Sequence, residues 1–132
     1  MKILIDPNIF LDVLLKRNDY KSCLEILNNL DKFEAIILDI TILNIDYIAK
    51  KQIKDIREFL GLINESCFVK GGDNLDIKDA LNLENVDLED NLQYVMAKKE
   101  NCKVIITNDK KFKFNEIEIL NSKQFVKKYL KG

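Results

Sequence analysis

Residues 86–109 read VDLEDNLQYVMAKKENCKVIITND and contain a helical pattern, a strand pattern and a closing acid. Leu92 and Met96 lie about one turn apart on an apolar face, which predicts a helix over residues 88–99. Residues 104–106 are β-branched and continuously apolar, which predicts a buried strand. Strands of that kind are typical of a parallel sheet covered on both faces, because a half-exposed strand would alternate with polar residues.

The same alternation of strands and helices runs through the rest of the chain. Further strands are predicted at residues 3–5, 35–38, 67–69 and 117–120. Helices are predicted to follow Asn8, Asp19 or Ser22, Thr41, Ile53, Leu75 and Ser122, the last one ending near Leu130. We therefore expect an α/β fold, a three-layer sandwich with a central parallel sheet of four to five strands, in one domain spanning residues 1–132.

The composition narrows the chemistry that the chain can perform. Its 132 residues are 47% hydrophobic and 33% charged, which is typical of a globular protein. Histidine is absent, which removes the usual base of a nucleophilic triad and the commonest transition-metal ligand. The cysteines at 23, 67 and 102 are far apart, which argues against a disulfide framework and a structural zinc site. Carboxylates or lysines must therefore carry any catalysis.

Nothing in the sequence indicates export or membrane insertion. The opening MKILID has a charge after three apolar residues, unlike a signal peptide, and no apolar run approaches about 20 residues. We therefore expect a cytoplasmic protein. The net charge of −1 neither indicates nor excludes nucleic-acid binding, because a basic rim can lie beside an acidic site.

Three acids are predicted to meet at one edge of the sheet. Asp6 and Asp109 follow predicted strands, and Asp90 lies in the first turn of a predicted helix. Ligands of open parallel sheets bind beyond the carboxyl ends of the strands. Carboxylates without histidine or cysteine suit Mg²⁺ or Mn²⁺, which activates water and stabilises charge on a phosphate. Each acid also has a local alternative: Asp6 or Asp109 as a turn residue, and Asp90 as a partner of the helix dipole.

These motifs resemble those of the PIN domain family. The resemblance rests on Asp6 with Asn8 two residues later, on DITILNIDYIAKK (39–51), on VDLEDNLQYVMAKKENCKVIITNDKKF (86–112) and on EIEILNSKQFVKKYL (116–130). It implies a metal-dependent ribonuclease that gathers acids around one or two Mg²⁺ or Mn²⁺ ions. The likeness to small prokaryotic members implies the toxin of a type II toxin–antitoxin pair, with an antitoxin partner and a homodimeric state.

The resemblance also assigns roles by position. It implies that the catalytic and metal-binding residues are Asp6, Asp90 and Asp109, and that the supporting residues are Asn8, Asn44 and Thr107. Apart from the resemblance, Lys110 and Lys111 directly follow Asp109 and are therefore the predicted RNA phosphate contacts. The alternative for these lysines is an ordinary solvated surface.

Asn44 departs from the family pattern, which usually has a glutamate there. Leu43, Tyr47 and Ile48 are expected to form the inward face of this helix, with Asn44 near its boundary and Asp46 facing outward. A site with three acids should hold its ion less tightly. One alternative is therefore a weakened module that binds RNA or a protein without cutting. Another is an unrelated α/β signalling domain that accepts a phosphoryl group, with Asp39 as the acceptor.

Overall fold

The computed structural model describes residues 1–131, and within that range five strands form a single parallel sheet. The strands are β1 (Lys2–Ile5), β2 (Glu34–Leu38), β3 (Phe68–Lys70), β4 (Val104–Ile106) and β5 (Glu118–Leu120). Their order across the sheet is β3-β2-β1-β4-β5, and every neighbouring pair is parallel. The predicted parallel α/β sheet is therefore confirmed.

Helices connect β1 to β2, β2 to β3 and β3 to β4, whereas a non-helical segment (107–117) leads from β4 to β5, and helices cover both faces of the sheet. They are α1 (Pro7–Leu14), α2 (Tyr20–Leu27), α3 (Asp39–Ala49), α4 (Ile56–Ser66), α5 (Asn74–Leu81), α6 (Leu88–Lys99) and α7 (Ser122–Phe125), which continues as a π-helical segment (Val126–Leu130). A short 3-10 turn (Leu30–Lys32) precedes β2. Among residues 1–131, every helix is too short or too polar to cross a membrane.

Two apolar cores give the fold its three layers. Ile3 and Ile5 of β1 pack on one face of the sheet with side chains of α1, α2, α3, α4 and α7. Leu4 packs on the other face with side chains of α5 and α6. All three β1 side chains are fully buried, because β1 is the central strand and successive side chains point to opposite faces. Burial on both faces explains why β1, β2 and β4 read as continuous apolar runs, whereas the edge strands β3 and β5 are more exposed.

The N-cap of α1 lies two residues before the predicted cap, Asn8. Asp6 is the N-cap residue and Pro7 is the first helical residue, so Asn8 is not the cap. Proline suits this position because the first amides of a helix have no partner within the helix. The change places Asp6 at the joint between β1 and α1.

The inward face of α3 was predicted wrongly. Leu43 and Tyr47 are 68% and 75% exposed, whereas Thr41, Ile45 and Ala49 are buried. The buried residues are four apart, which is the spacing of a single helix face. The apolar residues of α3 are distributed around most of the helix. Their periodicity therefore did not identify the side that packs against the sheet.

Asn91 fixes the start of α6 against the end of α5. Its buried side-chain amide donates to the carbonyl oxygens of Ala80 and Asn85 at 3.1 and 2.8 Å. Its side-chain oxygen accepts a hydrogen bond from the Asn85 amide at 3.1 Å. Since Asp90 is the preceding residue, these bonds also determine where the first turn of α6 lies.

We expect Asn91→Ala to lower the free energy of unfolding by about 1–3 kcal/mol, because it removes the donor from two carbonyl oxygens in the interior. Urea unfolding followed by circular dichroism measures the change. Asn64→Ala, at an exposed position of α4, is the matched control and should change stability by less than about 0.5 kcal/mol. Equal losses in the two variants would contradict the role given to Asn91.

Candidate active site

The predicted acids come from the carboxyl ends of the two central strands and from the helix above them. Asp6 directly follows β1, and Thr107 and Asp109 follow β4, which pairs with β1. Helix α6 contributes Glu89 and Asp90 from its first turn. Neighbouring parallel strands end at the same edge of a sheet, so these side chains share one region beyond that edge.

Asp6 is a buried carboxylate bonded across the two strands. Asp6 is only 3% exposed to solvent. The Thr107 hydroxyl donates to Asp6 Oδ2 at 2.6 Å, and the same hydroxyl oxygen accepts a hydrogen bond from the backbone N–H of Asp109 at 3.1 Å. Burial raises the pKa of Asp6, while the hydrogen bond from Thr107 opposes that rise. Thr107 therefore holds the Asp6 carboxylate in place and stabilises its charged form.

Asp90 lies in the electric field of the other acids. It is 7% exposed, and its backbone N–H donates to Asp87 Oδ1, the side chain that caps α6, at 3.1 Å. Burial, followed by the charges of Asp87, Asp6 and Asp109, raises the pKa of Asp90 to about 7. Asp6, Asp90 and Asp109 thus lie close enough to interact electrostatically.

Asp109 combines a local contact with this shared field. Its Oδ1 accepts a hydrogen bond from the backbone N–H of Lys111 at 2.9 Å, as expected for a turn residue. Its charge also raises the pKa of both Asp6 and Asp90. Within residues 1–131, no three side chains of His, Cys, Asp or Glu form a ready-made metal cluster. The three acids are neighbours, and their binding of a metal stays a prediction.

Asn44 is hydrogen-bonded to a further acid, Glu89, at the start of α6. The side-chain amide nitrogen of Asn44 donates to both carboxylate oxygens of Glu89, at 3.0 Å each. Burial, followed by the charge of Asp6, raises the pKa of Glu89, and the Asn44 amide lowers it. Sequence reasoning missed Glu89. Its position beside Asp90 was the available signal, but it also suits an ordinary acid in the first turn of a helix.

Asn8 supports the site from two sides. Its backbone N–H lowers the pKa of Asp6. Its side-chain oxygen accepts a hydrogen bond from Arg17 at 3.1 Å, and Arg17 Nε donates to the buried Asp12 at 2.8 Å. A small pocket of about 230 Å³ is lined by Asn8, Asp12, Arg17 and Asp109, among others. This arrangement brings a fixed cation, Arg17, to the edge of the acidic region.

An open groove lies beside Asp109, along the segment that follows β4. It has a volume of about 860 Å³ and is lined by Thr107, Asp109, Lys110 and Lys113, with Phe112 among the other lining residues. Lys110 is exposed there. Lys111, the second lysine predicted to contact phosphate, is exposed, and the contact it makes with Asp109 uses its backbone.

Comparisons with known proteins agree with the observed fold. The sequence model of the PIN domain family matches residues 3–118. Ribonuclease VapC1 of Aquifex aeolicus (strain VF5) is 30% identical over an alignment of 141 residues. That alignment covers 97% of this chain and 95% of that protein.

Two solved structures have the same architecture. One is VapBC2 from Rickettsia felis bound to a DNA fragment from its promoter, with a TM-score of 0.69, 19% identity, and coverage of 92% of this chain and 98% of that one. The other is a toxin–antitoxin complex from Klebsiella pneumoniae, with a TM-score of 0.70, 18% identity, and coverage of 91% and 97%. At these identities the likeness shows the fold alone.

Without added metal, we expect stability to fall as the pH rises. The raised pKa of Asp90, about 7, means that the folded chain keeps a proton between about pH 4 and 7 that the unfolded chain has released. The free energy of unfolding therefore decreases across that window. Asp90→Asn stays neutral and should reduce the decrease, by on the order of 2 kcal/mol after screening by water at the site entrance.

Urea unfolding in EDTA at about pH 5 and about pH 8 measures this difference. Asp55→Asn, an exposed acid before α4, is the control and should leave the pH dependence of the wild type unchanged. A stability that rises with pH in the wild type, or an equal effect of the two variants, would refute the expected coupling.

Proposed function

The chain belongs to the PIN domain family, and from that premise we propose that it is a ribonuclease that uses Mg²⁺ or Mn²⁺ to hydrolyse RNA phosphodiester bonds. The observation that carries the proposal is the contact between the two strand ends, where the Thr107 hydroxyl donates to the Asp6 carboxylate and accepts from the backbone N–H of Asp109. Asp90 enters the same region from the first turn of α6, and the charges of Asp6 and Asp109 raise its pKa. Membership of this family overturns the alternative of a signalling domain with Asp39 as phosphoryl acceptor.

The donor atoms of the site fit a hard divalent cation. They are carboxylate oxygens, with an amide and a hydroxyl oxygen nearby, and the sequence contains no histidine that could compete. Carboxylates that raise one another's pKa are stabilised by a positive ion between them. Asp6, Asp90 and Asp109 would hold the ion.

Several residues of the chain would have distinct roles around such an ion. When bound, the cation supplies an activated water and stabilises negative charge on the phosphate. The Thr107 hydroxyl fixes Asp6 Oδ2 and leaves Asp6 Oδ1 available for binding. Asn8 and Asn44 act as supporting groups, since Asn8 bonds to Asp6 through its backbone and Asn44 bonds to Glu89. Partners of this kind orient metal-binding carboxylates.

The RNA backbone is proposed to enter along the groove beside Asp109. Lys110 lines this groove together with Asp109, so it can contact a phosphate next to the one being cleaved. Lys111 is one residue further and is proposed as a second phosphate contact. Positive side chains at the rim would also offset the repulsion between the acids and the RNA.

The names of the relatives suggest a biological setting. One relative is named ribonuclease VapC1, and the two structural neighbours are toxin–antitoxin complexes. We propose that the chain is the toxin of a type II toxin–antitoxin pair, a homodimer that acts in the cytoplasm as a single domain over residues 1–132. Exposed apolar side chains of α3, such as Leu43 and Tyr47, offer surface to a protein partner.

Asp6→Asn should lower metal-dependent RNA cleavage by about 100-fold or more, because a lost metal ligand removes several kcal/mol of stabilisation. Cleavage of labelled RNA with and without Mn²⁺ measures this effect, and Asp55→Asn should cleave like the wild type. A wild-type protein that cuts no RNA with either metal would end the enzyme proposal. RNA binding without cleavage would instead support the weakened binding module.

Lys110→Ala should weaken RNA binding and lower the slope of log affinity against log salt by about 0.7, the share of one phosphate contact. Fluorescence anisotropy with the Asp6→Asn background measures binding while preventing cleavage. Lys54→Ala removes an exposed lysine between α3 and α4 and serves as the control. If both lysine variants change the slope equally, the groove does not direct the RNA.

A further inference from the structure

The contact between Asn44 and Glu89 joins α3 to α6 at the edge of the acidic site. The two residues are 45 positions apart, and one amide nitrogen is shared by both carboxylate oxygens. The amide must point its nitrogen toward Glu89, because its oxygen would repel the carboxylate. A neutral amide orients Glu89 without neutralising it. Each Glu89 oxygen therefore keeps its charge and further lone pairs for another partner.

The interior side of the same helix turn holds an amide without a hydrogen bond. Gln93 is 1% exposed, and among residues 1–131 neither of its side-chain polar atoms has a hydrogen-bond partner. Gln93 follows Glu89 by four residues and Asp90 by three, so it lies on their side of the helix. It lies beside Asp6 and helps to lower the pKa of that carboxyl, although the contact falls short of a well-formed hydrogen bond.

A buried amide without partners is costly, and such groups in native proteins are usually satisfied by ordered water or a bound ligand. A hydrated cation among Asp6, Glu89 and Asp90 would bring water within reach of Gln93. The unsatisfied amide is independent of the acids' own hydrogen bonds. It indicates that a polar ligand belongs in this space.

From this geometry we propose that Glu89, oriented by Asn44, supplies a fourth carboxylate to the cation site formed with Asp6, Asp90 and Asp109. The inference rests on the proposed function and deepens it. Asn44 is then a positioning residue and Glu89 a metal ligand. Glu89 on α6 thus supplies the negative charge that Asn44 on α3 lacks.

The simpler role for Glu89 is that of an acid stabilised by the dipole at the start of α6. That role needs neither burial nor a partner on another helix. Glu89 has both, because it is half-buried and bonded to α3. Glu58 fits the simpler role, since it lies in the first turn of α4 and is exposed. It therefore provides a comparison with the same residue type in the first turn of another helix.

Calorimetric titration of the full chain with Mn²⁺ tests the proposal without using activity. Glu89→Gln keeps the size of the side chain and should bind Mn²⁺ at least about tenfold more weakly than the wild type. Glu58→Gln should bind within about twofold of the wild type. Melting curves without metal verify that both variants are folded.

A double variant tests Asn44 and Glu89 as a pair. Asn44→Glu combined with Glu89→Gln exchanges the carboxylate and the amide between α3 and α6, and it should recover most of the Mn²⁺ affinity that Glu89→Gln loses. A double variant as weak as Glu89→Gln would show that positions 44 and 89 do not supply a carboxylate to the same cation site, which would overturn their pairing.

Two outcomes separate this inference from the proposed function. If Asp6→Asn loses Mn²⁺ binding while Glu89→Gln binds like the wild type, Glu89 is no ligand and the metal-dependent ribonuclease still stands. If the wild type itself binds no Mn²⁺, the proposed function fails and the inference fails with it.

Discussion

A buried carboxylate at the end of the central strand organises this protein. Asp6 follows β1, caps α1 and is bonded by the Thr107 hydroxyl at the end of β4. A charge in that position is tolerated only with hydrogen bonds to it, and Thr107 and the Asn8 backbone supply them. The parallel pairing of β1 with β4 makes the arrangement possible, because it brings the two strand ends together. Helix α6 then covers the same edge.

The acids at this edge oppose the stability of the fold. Burial and mutual repulsion raise the pKa of Asp6, Glu89 and Asp90, so their charged forms are disfavoured in the folded chain. Groups perturbed in this way cluster at functional sites more often than elsewhere. A divalent cation would convert the repulsion into attraction. The same carboxylates would then bind the ion and stabilise the folded chain, which couples metal binding to stability.

The helix that departs from the family pattern shows how such a site can be rearranged. Asn44 replaces the usual glutamate, and its amide is directed at Glu89 on α6. In the sequence, Asn44 indicated only the loss of a negative charge. Glu89, the residue that could restore this charge, lies 45 residues away and could not be recognised as its partner. Glu89 itself was hidden by its neighbours, since acids are common in the first turn of a helix. The pairing depends on how α3 and α6 approach each other above the sheet.

The sequence by itself determined the parallel α/β architecture, the place of each strand to within a few residues, and the acids that follow β1 and β4. These features depend on local patterns, because continuous apolar runs and the residues that end them are visible in short windows. Tertiary structure decided which side of α3 is buried and that Asn44 bonds to Glu89. Each of these depends on contacts between segments far apart in the chain, and no local periodicity carries that information.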